Sequence, residues 1–249
     1  MKIASVILSF ALGLAMTSAL QAQTLSDLAG TWLNTQYIDG LKQRFTIMTG
    51  TVGKAAPLAV QIPAGKGERI ATTVFDGPTK GLGCTLEREK TAKEYVVRLG
   101  CGTGDSTRQW IVGIDERRQE YIALYAATDL DAPPAVYGRM PSKNQSLGFI
   151  LERAVNASLL TGTYQDERGR TFTFRNDQSA VWPDATIRYH VAYDADGTDT
   201  DYFTIDGAKS GSTRGYAFER TATTLKIFTL RTVKGRHTRG ALIHTLTKR

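Results

Sequence analysis

The stretch Leu159-Leu160-Thr161-Gly162-Thr163-Tyr164 repeats an earlier one, Leu28-Ala29-Gly30-Thr31-Trp32, and so restarts the chain from near its beginning. Each start is followed by a Ser-Thr-Arg, at Ser106-Thr107-Arg108 and at Ser212-Thr213-Arg214. Ala135 follows Ser106 by the same 29 residues that separate Ala241 from Ser212. A chain of this length suits one large β domain or two small ones, and the duplication favours two.

Alternation of apolar and polar residues shows what the unit is made of. Phe172 and Phe174 alternate with Thr171, Thr173 and Arg175, and Ile187, Tyr189, Val191 and Tyr193 alternate with Arg188, His190 and Ala192. The second unit reads as about eight short strands with turn residues between most of them, a pattern that suits an up-and-down barrel because closure leaves no free edge. In the first unit, Arg44 to Met48 and Arg69 to Phe75 read as β-like pieces flanking a loop at 50–67. Between the units, Ser146 to Leu160 carries Phe149, Ile150, Ala154 and Val155 at helical spacing. It reads as the one sizeable helix, capped by Asn144 or Ser146. The expected fold is all-β, two tandem antiparallel up-and-down barrel units joined by one helix. Residues 23–141 form the first unit, 142–160 the linker helix and 161–249 the second unit.

Residues 1–22 stand apart. Lys2, the uncharged apolar run Ile3 to Leu20 and the exit Gln21-Ala22 have the build of a secretory signal peptide, so the mature chain is expected in the periplasm or secreted. That setting bears on the two cysteines. If Ala92-Lys93 is a two-residue turn, Cys84 faces Cys101, Leu86 faces Leu99 and Glu87 faces Arg98, which puts the sulfurs within reach of a disulfide. A metal site, or a redox pair, would need other spacing or nearby histidine.

A Gly-x-Trp on a first strand, after a helical turn and before a meander of about eight strands, resembles the lipocalin and wider calycin group. The matching residues are Gly30 and Trp32, with Gly162 and Tyr164 as a weaker second instance. The resemblance implies a barrel whose closed end is plugged by Trp32 and covered by an Arg from the last strand, for which Arg139 is the candidate. The second unit departs from the pattern at Tyr164, and at Thr245, which spacing aligns with Arg139.

Three functions remain open on these residues. In the first, a non-catalytic binding protein holds a small apolar or amphipathic ligand in a barrel, the first unit lined by Trp32, Trp110, Tyr121 and Tyr125 above Arg139; a filled core is the competing fate of the same residues. In the second, an envelope protein is bound through charged surfaces. From Asp184 to Asp206 there are six Asp against Arg188, whereas from Gly207 onward there are ten Lys or Arg against Glu219; the two flanks can also simply attract each other. In the third, an enzyme of unfamiliar barrel type uses His190 or His244 with a carboxylate. The Asp194–Asp201 turn offers carboxylates around Gly197, either as a solvated turn or for calcium. No cofactor, metal site or nucleic-acid partner is expected, and Gly104-Asp105-Ser106 lacks the context of an esterase nucleophile.

Overall fold

A computed structural model describes residues 25–47, 56–75, 82–90, 95–102, 108–114, 120–141, 145–192, 198–206 and 214–249. After a one-turn 3-10 helix at Leu25–Leu28, the first unit contains β1 (Gly30–Asn34), α1 (Thr35–Arg44), β2 (Ala59–Ile62), β3 (Arg69–Phe75) and β4 (Leu82–Lys90). It continues with β5 (Tyr95–Cys101), β6 (Arg108–Ile114), β7 (Tyr121–Ala126) and β8 (Ala135–Met140). Helix α2 (Leu147–Leu159) leads to β9 (Gly162–Gln165), β10 (Thr171–Phe174), β11 (Ser179–Trp182) and β12 (Ala185–Val191). The chain ends with β13 (Asp201–Ile205), β14 (Arg214–Arg220), β15 (Thr224–Val233) and β16 (Arg236–Lys248). Each set of eight strands is an antiparallel meander closed into a barrel, β1 on β8 and β9 on β16, so the fold is all-β with two tandem barrels.

Both units begin alike. Gly30 and Gly162 sit at φ +146° and +152°, where a side chain would be strained, so glycine at each start is a backbone requirement. The cysteine hairpin has the register read from the sequence: Cys84 opposes Cys101, Leu86 opposes Leu99, and Glu87 opposes Arg98. A disulfide joins Cys84 to Cys101. Arg98 takes its ion pair diagonally, from Glu89 at 2.6 Å. The turn at Ala92-Lys93 lies outside the described residues.

The first unit departs from expectation after β1. A second sizeable helix, α1, follows β1 directly and ends at Arg44; residues 45–47, read as part of a β-like piece, are not a strand, and Met48 lies outside the described residues. The α1 cap Asn34 accepts the Tyr37 N–H at 3.1 Å, Tyr37 and Leu41 share the buried face one turn apart, and Phe45 closes the helix in the left-handed region. Strand β2 falls within the region read as loop.

Helix α2 is capped by Ser146, whose hydroxyl accepts the Phe149 N–H at 3.3 Å. Its buried face, Leu147, Ile150, Leu151, Val155 and Leu159, packs in one core with Leu33, Tyr37, Leu41 and Ile47 of the first unit and with Phe174 and Tyr189 of the second. Two polar contacts reinforce that seam. Asp201 accepts the Ile47 N–H at 3.0 Å, and the Arg220 guanidinium lies 5.2 Å from the Phe45 ring centre.

Candidate functional site

At the start of each barrel a glycine, an aromatic ring and a basic side chain from the last strand come together. Trp32 is buried and donates its indole N–H to the Leu28 carbonyl at 2.9 Å. Arg139, opposite it on β8, stacks on the Trp32 ring at 4.4 Å and donates to the carbonyls of Asp27 (2.7 Å) and Ala29 (3.2 Å). The cap therefore adds donors to carbonyls at the end of the preceding helical turn.

In the second barrel Tyr164 reproduces the first bond with a different donor, its hydroxyl bonding the Leu160 carbonyl at 2.9 Å. The residue opposite Tyr164 on the last strand is Lys248, not Thr245. Counting from Ser212 misplaces it, because β15 and β16 are longer than β7 and β8 and are joined by a shorter turn. Lys248 lies over Gly162 as Arg139 lies over Gly30. The carbonyl-capping role passes to Arg220, which projects inward from β14, is buried, and donates to Ser158 (3.3 Å) and Leu159 at the end of α2.

The candidate lining residues divide. Trp110 is buried in the first barrel's core among Val112, Leu99 and Leu124, with Trp32. Tyr121 and Tyr125 are on the opposite face, because Ile122 and Leu124 are the inward residues of β7. They lie outside against glycines: Tyr125 within 3.0 Å of where a Gly113 side chain would begin, Tyr121 at 3.7 Å for Gly138. These tyrosines cover gaps in the outer sheet and do not line the interior.

Inside the second barrel the rings of Tyr164, Phe174, Tyr189 and Phe203 meet edge to face at 5.6–6.1 Å. Tyr189 donates to Asn156 of α2 at 2.7 Å, and burial pushes its hydroxyl pKa upward. Towards the other end, His244 packs on Phe172 (5.0 Å) and Trp182 (5.7 Å), and burial, then Arg170, hold its pKa below the usual histidine range. The indole N–H of Trp182 is buried there without a partner. Depressions of about 320 Å³, beside Leu25, Lys66 and Arg88, and about 260 Å³, beside Tyr202, Thr204 and His237, are lined by none of the core aromatic residues named above.

His190 is outward on β12 and bridges two carboxylates: Nδ1 is 3.0 Å from Glu152 on α2 and Nε2 is 3.0 Å from Asp206 just after β13. Burial raises the Glu152 pKa, against opposing contributions from His190 and from Gln178. Only the outward position of His190 was legible in the sequence, since its partners come from two other elements. His237 is elsewhere, stacked on Tyr202 at 4.8 Å.

The acidic and basic flanks do meet. Arg236 bonds Asp199 at 2.6 Å and the Thr198 carbonyl at 3.0 Å, and within the basic flank Arg239 pairs with Glu219 at 3.2 Å. Of the aspartates considered for calcium, Asp199 and Asp201 are thus engaged within the protein, and Asp194 and Asp196 lie outside the described residues. Among the described residues no cluster of His, Cys, Asp and Glu is arranged to hold a metal, and no helix is long and apolar enough to cross a membrane. Comparisons with protein-family models, with curated proteins and with solved structures found no match to this chain.

Proposed function

We propose that the protein is an exported, non-catalytic interaction module in which both barrels serve as packed scaffolds and the charged outside of the second barrel meets an envelope protein. The observation that carries this reading is the packing of the interiors. Trp32, Tyr164, Tyr189, Phe172, Phe174 and Phe203 are each at most 1% exposed, so a small apolar guest would have to displace side chains already in contact. The charge lies instead on the surface, where Lys226, Arg231, Lys234 and Lys248 are exposed on the last hairpin. Export is supported by the apolar run from Ile3 to Leu20 and by the disulfide.

The test is capture of proteins from the native envelope by the immobilised mature chain at low and high salt. Capture that weakens as salt rises, and again in Arg231→Glu/Lys234→Glu, is the expected result. A small molecule retained one to one in native mass spectrometry of the protein from its own source would overturn the reading in favour of a cavity.

A further inference from the structure

Strand β16 is longer than the barrel needs. Its inner edge pairs with β15 along nearly its whole length, but on the outer edge β9 reaches only Thr247 and Lys248. At the other extreme Thr198 forms an isolated parallel bridge with His237, and the Asp199 N–H bonds the His237 carbonyl at 2.8 Å. Among the described residues no strand covers the outer edge from Thr238 to Leu246, a span of roughly 30 Å at about 3.3 Å per residue. Leu242 and Ile243 within it are 54% and 39% exposed.

We infer that this edge receives an extended acidic segment of a partner protein, added as a further strand. The inference rests on the interaction reading above and names its partner chemistry. Unpaired strand groups are best satisfied by another backbone, which a lipid headgroup or a polysaccharide does not supply. Charge selects which backbone. Arg231, Lys234 and Lys248 are exposed on this hairpin, so a second copy of the chain would bring like charges together, whereas alternating acidic and apolar residues would meet both the cations and Leu242 and Ile243. The isolated bridge from Thr198 and the Asp199 N–H to the His237 carbonyl show backbone of the chain itself already meeting this strand at one point.

The probe is a random peptide library of about twelve residues displayed on phage, selected on the mature protein. Enrichment of acidic, alternating sequences is expected, with their synthetic peptides slowing amide exchange across Thr238–Leu246 and binding about tenfold more weakly to Arg231→Glu/Lys234→Glu. Lys66→Glu/Lys90→Glu changes the net charge equally on the first barrel and should bind as the parent does. Ile243→Pro, with its melting temperature measured to confirm folding, should lose the peptides. Failure to enrich, enrichment without acidic residues, protection elsewhere, or undiminished binding by Ile243→Pro would each overturn the inference, as would vesicles containing phosphatidylglycerol displacing the peptides from another face. Envelope capture that survives in Ile243→Pro would refute the edge alone and leave the interaction reading standing.

Discussion

The two barrels solve the same closing problem with different parts. Both start on a glycine at positive φ, and both bond an aromatic side chain to the carbonyl four residues before it. In the first, a single exposed Arg139 stacks on that ring and caps the carbonyls of a one-turn helix. In the second, the preceding helix α2 has thirteen residues and its last carbonyls are met by a buried donor, Arg220, while Lys248 lies over Gly162. The interiors differ too: one is mainly aliphatic and cross-linked, the other a stack of aromatic rings with no disulfide among its residues. Ring packing and a covalent link are thus alternative ways to hold a small barrel together.

The largest effect should come from opening the aromatic stack. Phe174→Ala removes a ring touching Tyr164, Tyr189 and Phe203 and should cost about 4 kcal/mol in urea unfolding. The interior that holds Trp32 and Trp110 is a cluster of its own, but Leu33, Tyr37, Leu41 and Ile47 of the first unit join α2 and the second barrel in one seam, so Trp32 and Trp110 in the first barrel and Trp182 in the second should report a single transition. Separate transitions in a Trp182→Phe comparison would break the view of one cooperative body.

Replacing both cysteines by serine opens a link spanning 17 residues and should cost about 3 kcal/mol. The second barrel should keep its near-ultraviolet aromatic signal in the folded double mutant.

The capping comparison is sharpened by pairing Arg220→Met with Arg139→Met. The buried arginine leaves carbonyls without a donor and should cost about 3 kcal/mol, against about 1 kcal/mol for the exposed one. Equal costs in thermal unfolding would show that burial of the cap is not what separates the two ends. Tyr164→Phe, which removes only the hydroxyl, should cost about 1 kcal/mol.

The smallest effect is in pH dependence. The Glu152 pKa is raised in the native state by burial, so the folded protein holds that proton more tightly than the unfolded chain. The stability it contributes is fully present below the ordinary glutamate range and is lost as pH rises through the raised value. Glu152→Gln should therefore gain melting temperature relative to the parent as pH goes from about 4 to 7. A difference that is flat or opposite in sign would mean that the contact with His190 outweighs burial.

Periodicity and spacing by themselves determined a good deal: the duplication, the β meander, α2 with Ser146 as a candidate cap, and the register that brings Cys84 to Cys101. These are local properties, since alternation fixes which residues share a face and hairpin pairing fixes who stands opposite whom. The resemblance carried Arg139 to Trp32 on the same footing, as neighbours on adjoining strands. What alternation leaves open is which face is inside, and Tyr121 and Tyr125 prove to be outside because Ile122 and Leu124 take the core. Longer strands and a shorter turn in the last hairpin put Lys248, not Thr245, at the cap position, and Asn34 turned the chain into α1, whose Tyr37 and Leu41 find burial against α2. Arg220 at the end of α2, and His190 between Glu152 and Asp206, were decided by tertiary structure alone, because their partners are brought together only when distant elements pack and bury the groups that need them.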